Sequence, residues 1–269
     1  MNNTLKQLLT YFGLAYLISW IIWLPLYGSI FGLTNLPTLP LHHALGGLGP
    51  LISSFLTTWI FLKKDGVKNL LLKCFQIKPL IYLTIAVLSP FLLALIAILI
   101  SYFVSSTPIN LYSLLTNKEF PQFNLLALFI YNLIFFGFGE EVGWRGFALP
   151  RLQSKLNALN ASLVLTVFWA LWHLPLFLYR PGYTSMDVSG IIGWVLSLLT
   201  GSILLTWLYN SSKGSILICA VFHSTIDVAF TANFADTNII NYMGFLITVW
   251  GILTIFIFKQ KTIFINDQA

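Results

Sequence analysis

The chain has 269 residues, of which 58% are hydrophobic and 8% charged, with a formal net charge of +6. Its mean hydropathy is +0.86, whereas a soluble domain carries roughly 25% charged residues. So much apolar surface needs lipid to cover it, which excludes an ordinary soluble domain and reads the positive charge as a membrane-topology bias rather than a nucleic-acid footprint.

In chain order, apolar stretches of the length a bilayer requires fall at about 8–32, 44–62, 80–104, 123–148, 161–179, 190–209, 215–231 and 239–258. They predict an all-α polytopic bundle of about eight transmembrane helices, a single integral membrane domain over 1–269 with short loops. The stretch 8–32 is too long for a signal-peptide core and lacks a clear small-residue cleavage site, so it reads as a retained helix. The stretch 215–231 is short and polar for a span, which predicts burial among other helices. With the N-terminus inside, the inner segments hold Lys6, Lys63, Lys64, Lys68, Lys73, Lys78, Arg145, Arg151, Lys155, Lys213, Lys259 and Lys261. The outer segments hold only Lys118 and Arg180, so the excess of basic residues on inner loops places both termini in the cytoplasm. The 63–78 segment reads as a basic loop. Cys74 and Cys219 fall in an inner loop and a helix, and neither placement suggests a disulfide.

Against this background the polar residues within spans stand out, because an ionisable group at membrane depth is costly and marks function by default. Glu140 and Glu141 stand at the end of the apolar run Leu125 to Phe138, and His173, His223 and Asp227 lie in later helices. At about 1.5 Å per residue, Glu140 is about 14 Å from Leu149 and His173 about 18 Å from Ala161. On the same basis His223 and Asp227 are about 12 and 18 Å from Ser215. The groups share a slab of the bilayer. Glu141 and Arg145 are four apart, suited to an internal ion pair, while Glu140 is turned about 100° away. His223 and Asp227 also share a helix face, and Trp169 lies one turn before His173, where it can wall the site. Asn132 sits on a face similar to that of Glu140, where it could line a cavity, with helix–helix hydrogen bonding at least as good a reading. Trp144, Trp169 and Trp172 otherwise read as packing or interfacial aromatics, and His42 and His43, in an outer loop, receive no role.

A buried carboxylate beside imidazoles suits activation of water, with Glu140 as base, His173 orienting water or donating a proton, and His223 donating to an oxyanion. Two other readings stay open. Glu140, His173 and His223 are chemically adequate zinc ligands, although HExxH is absent. A transporter or immunity scaffold could use the carboxylates as a proton relay.

The segment Glu140-Glu141-Val-Gly-Trp-Arg145 resembles the EExxxR motif of the CAAX protease and bacteriocin-processing family of intramembrane glutamic proteases, which includes type II CAAX prenyl endopeptidases. Trp169-Ala-Leu-Trp-His173 resembles its FxxxH motif and His223-Ser-Thr-Ile-Asp227 its HxxxN or HxxxD motif, in the family's order. The resemblance implies a catalytic core over 123–231, a site in the cytoplasmic membrane opening to the cytoplasm, and no cofactor. It implies Glu140 activating water with His173, His223 and Asp227 at the oxyanion, and supporting roles for Glu141 and Arg145. Trp169 replaces the family's usual Phe. Asp227 stands where prenyl-protein proteases tend to have Asn, and a carboxylate there would orient His223 rather than donate to an oxyanion. The implied partner is a peptide or protein substrate, lipid-modified or membrane-anchored, together with membrane lipid.

Overall fold

The computed structural model describes residues 3–234 and 238–257. Lys259 and Lys261 lie outside them, as does the last residue of the stretch 239–258. Seven helices among the described residues are long and apolar enough to cross a bilayer. They are α1 (Asn3–Phe31), α2 (His42–Lys73), α3 (Leu80–Ser105), α4 (Leu125–Gln153), α5 (Ala158–Tyr179), α6 (Val188–Ser211) and α8 (Asn238–Phe256), with the shorter α7 at Ile216–Phe230. The chain is an integral, multi-pass, all-helical membrane protein, and the only extended pairing among the described residues is an isolated bridge between Asn117 and Ala232.

Helix α7 shows why the stretch 215–231 looks atypical in the sequence. Its 15 residues include eleven buried ones, His223, Ser224 and Thr225 among them. It packs against α3, α4 and α6, so its polar side chains meet protein instead of lipid. Thr225 Oγ1, for example, donates to Ala86 O at 2.6 Å. Two stretches depart from the sequence reading: His42 and His43, expected in a loop, begin helix α2, and the segment 63–78 is largely helical. Helix α2 continues to Lys73, with a break at Lys63 where φ is 55° and ψ −154°. Much of the expected loop is therefore a second helical segment, redirected at Lys63.

Helix α4 is the spine of the site. Between its regular ends it widens into two π-helical segments, Leu133–Phe138 and Val142–Ala148, on either side of Gly139–Glu141. Such widening shifts side chains around the helix and recurs at functional sites. Two glycines allow the neighbours to come close. A Cβ on Gly143 would meet Tyr11 Oη and stand 2.6 Å from Pro50 O, and one on Gly137 would stand 2.6 Å from Ala220 O. Helix α4 is thus wedged against α1 and α2 on one side and α7 on the other.

The ends of the bundle differ in charge. At one end Arg151 Nε donates to Gln7 Oε1 at 2.7 Å, and Gln76 Nε2 donates to Ser212 O at 3.0 Å, which draws the lysine-bearing segments together. At the other end Arg180 pairs with Glu119 at 2.6 Å, Asn117 Nδ2 donates to Thr231 Oγ1 at 2.6 Å, and His43 Nδ1 lies 2.8 Å from Tyr179 Oη.

Candidate active site

Glu140, at the narrow point between the two π segments, is 4% exposed. Its Oε2 accepts from two indoles, Trp169 Nε1 at 2.7 Å and Trp144 Nε1 at 3.3 Å. Neutral N–H donors can satisfy a buried carboxylate without bringing a countercharge beside it. Trp144 and Trp169 are therefore polar partners of Glu140. The packing role read for them in the sequence is incomplete, although the i, i+4 spacing of Glu140 and Trp144 was available there.

Glu141 faces elsewhere, as the rotation between adjacent helical positions requires. It is fully buried and pairs with the equally buried Arg145 at 2.9 Å. The same Oε1 lies 2.7 Å from His223 Nδ1. A carboxylate accepts, so Nδ1 carries the proton. Arg145 in turn lies over the Trp169 ring, its Cζ 4.5 Å from the centroid. Glu141 thus ties α4 to α7, a contact across 82 residues that local spacing does not reveal. It is also the closer carboxylate to His223, because Asp227 Oδ2 stands 3.7 Å from Nε2. Glu141 thus holds the nearer contact to His223, through Nδ1, with Asp227 on the side of the other ring nitrogen. The Asp227 side chain, 33% exposed, instead stands at the edge of open space.

His173 is placed by the end of a helix. The regular helix stops at Trp172, His173 is its C-cap, and Pro175, which cannot supply a backbone N–H, accompanies the turn before Leu176–Tyr179. Its Nδ1 lies 2.7 Å from Trp169 O. A carbonyl only accepts, so Nδ1 is the protonated nitrogen and Nε2 is left for other chemistry. Trp172 and Trp194 abut the imidazole edge-on, with centroids 4.9 and 5.7 Å away.

These groups meet at a cavity of about 260 Å³ lined by Glu140, His173, His223 and Asp227. Its walls include Tyr131, Phe136, Trp172 and Tyr183, and its outer rim Asn117, Glu119, Arg180 and Thr231. Asn132 also lines it, with Nδ2 donating to Leu128 O of its own helix at 2.9 Å rather than to a neighbouring helix. His43, left without a role in the sequence, is a wall residue too. Arg145, Glu141, Trp144 and Trp169 stand behind the lining and hold it. Among the described residues no three His, Cys, Asp or Glu side chains converge as a metal-binding group.

Residues 122–229 match the family profile described as "Type II CAAX prenyl endopeptidase Rce1-like". The chain is also similar to a protein of Methanococcus maripaludis described as CAAX prenyl protease 2. The two are 33% identical over 93 residues, which is 33% of this chain and 34% of the relative. The matched region thus spans about a third of that relative's length. Both similarities support the resemblance drawn from the three motifs, and the profile spans the segment from the start of α4 to the end of α7.

Proposed function

We propose, on the match of residues 122–229 to the Rce1-like profile, that the chain is an intramembrane endopeptidase that hydrolyses a peptide bond with water activated by Glu140. One observation carries the reading: Glu140 lines the same cavity as His173 and His223 while two indoles fix one of its oxygens. The carboxylate is therefore oriented without being neutralised by a salt bridge. The basic side chain of the motif, Arg145, is engaged by Glu141.

In this reading water sits between Glu140 and His173 Nε2. Glu140 takes a proton as the water oxygen bonds to the scissile carbonyl carbon. The carbonyl π electrons move to oxygen, and His223, protonated on both nitrogens, donates from Nε2 to that oxyanion. Collapse of the intermediate breaks the C–N bond, and the proton held by Glu140 passes to the departing amine. Preorganised donors at a developing oxyanion stabilise it because they need no reorganisation during the reaction. Asp227, at the cavity edge, stands 3.7 Å from His223 Nε2, near enough to favour the imidazolium electrostatically. The catalytic core is the segment 123–231, and the remaining helices brace it. The substrate is a peptide segment of a membrane-associated polypeptide, and the membrane is the cell's cytoplasmic membrane.

The test is cleavage of a peptide panel by purified protein, comparing wild type with Glu140→Ala, His173→Ala and Glu141→Ala, with and without chelator. Loss in the first two, insensitivity to chelator, and residual activity in whatever Glu141→Ala remains folded are expected. Equal cleavage by wild type and Glu140→Ala would sink the assignment. Loss of activity on chelation with metal found in the protein would favour the zinc reading.

A further inference from the structure

Among the described residues three imidazoles line the catalytic cavity. The third, His43, belongs to none of the three motifs and lies outside the matched segment 122–229. Its neighbour His42 has both ring nitrogens engaged, Nδ1 accepting from Leu39 N at 2.9 Å and Nε2 donating to Ile22 O at 2.6 Å. His42 therefore pins the start of α2. His43 is only half satisfied: its Nδ1 meets Tyr179 Oη at 2.8 Å, whereas Nε2 has no hydrogen-bond partner among the described residues.

The His43 ring is held from several sides. It stacks on Trp23 at a centroid distance of 5.7 Å, and Phe136 and Tyr179 lean against it at 5.7 and 5.9 Å. The His43 carbonyl accepts from Trp23 Nε1 at 2.7 Å. Gly47, one turn on and on the same helix face, stands against α4. A Cβ there would be 3.0 Å from Phe135 O, and one on Gly139 would be 2.9 Å from Gly47 O. Gly139 precedes Glu140, so the face of α2 that carries His43 is keyed to the backbone beside that carboxylate. Tyr179 ends the short helix that follows His173, so its hydroxyl keys the same ring to α5.

We infer, on the proteolytic reading above, that His43 is a substrate-binding residue whose Nε2 hydrogen-bonds a backbone peptide group beside the scissile bond. An imidazole paired at Nδ1 offers Nε2 as a donor or an acceptor, according to which nitrogen carries the proton. A peptide unit carries both an N–H and a C=O, so a backbone segment supplies the complement in either case. A few placed polar groups among apolar walls fix a ligand's orientation, and Trp23, Phe136, Trp172 and Leu176 are such walls of this cavity. The work is thereby divided: Glu140 and His173 hold the water, His223 meets the oxyanion, and His43 holds the chain being cut. An interaction made equally in the bound and transition states raises KM when removed and leaves kcat unchanged, which is the signature expected of His43.

The test takes a peptide that the purified wild type cleaves. His43→Phe keeps a ring against Trp23 and removes Nε2. It is expected to raise KM about five- to tenfold, as the loss of one hydrogen bond does, with kcat and the unfolding midpoint unchanged. Binding of the same peptide, fluorescently labelled, to Glu140→Gln should weaken by the same factor when His43→Phe is added. A second arm replaces the backbone amides flanking the scissile bond by esters, one at a time, which removes the N–H and weakens the carbonyl as an acceptor. One ester position should weaken binding to Glu140→Gln by a similar factor and leave binding to the double variant unaffected, a coupling that a merely structural role for His43 would not produce. Unchanged KM and affinity in His43→Phe overturn the inference, as does a fall confined to kcat or an ester penalty that ignores His43. Insensitivity of Glu140→Gln to every flanking ester overturns it too, whether or not His43→Phe folds. Wild type that cleaves no peptide defeats the proteolytic reading and this inference with it, whereas cleavage by wild type with an indifferent His43→Phe defeats this inference alone.

Discussion

Replacing Trp169 by Phe isolates what the indole N–H contributes to Glu140. The substitution keeps an aromatic ring under Arg145 and beside both histidines, but removes the 2.7 Å donor to Glu140 Oε2. Hydrogen bonds to charged groups contribute about 1.5–3 kcal/mol, and each ~1.4 kcal/mol of lost transition-state stabilisation is tenfold in rate. If the whole contribution were spent on orienting the base, kcat/KM would fall by about 10- to 150-fold. Trp144 remains as a second donor at 3.3 Å, so the expected fall is near the lower end, about tenfold. Trp144→Phe, which removes the longer bond, should cost less. The assay is peptide cleavage by purified protein, with thermal unfolding measured in parallel to separate misfolding from misorientation. The reasoning is refuted if Trp169→Phe leaves kcat/KM unchanged, or if the loss of activity only follows a loss of folded protein.

The contrast between the two glutamates should also appear in stability. Glu141→Gln leaves the fully buried Arg145 without its countercharge, and breaking a buried pair in this way costs about 3–5 kcal/mol; a denaturant or thermal titration should show this loss and a smaller one in Glu140→Gln, and equal losses would contradict the division of labour. Gly143→Ala drives a Cβ towards Pro50 O and Tyr11 Oη. Overpacking of this kind costs about 1–3 kcal/mol, so a lowered unfolding midpoint is expected, and an unchanged one would show that α1, α2 and α4 have room to separate. The rim pair of Arg180 and Glu119 has side chains 27% and 39% exposed, and exposed pairs contribute at most about 1 kcal/mol; Arg180→Ala should scarcely move the midpoint, and a large fall would assign the pair a structural role.

The helices and the polar constellation were legible in the sequence because both follow from one-dimensional patterns. Apolar length marks a span, and an isolated charge or imidazole within it has few physical excuses. The pairing of Glu141 with Arg145 follows from i, i+4 spacing on one helix. The contact between Glu141 and His223 does not, since it depends on how α4 and α7 pack. The close approach at Gly137 is likewise invisible until the helices are assembled. The two indole donors to Glu140 illustrate a different limit: a tryptophan in a membrane helix has an apolar ring and a polar N–H, and its surroundings decide which one matters. Helix α2 hid its kink at Lys63 because nothing in the residue type there announces a positive φ.

The most direct measurement of the central claim is cleavage by Glu140→Gln beside wild type, in purified and demonstrably folded protein. Glutamine keeps the shape and an oxygen able to accept from Trp144 and Trp169 but cannot take a proton from water. Positioned general acid–base groups contribute about 10²- to 10⁴-fold to rate. The account predicts a fall in kcat of that order with the fold intact. Cleavage at the wild-type rate would contradict it.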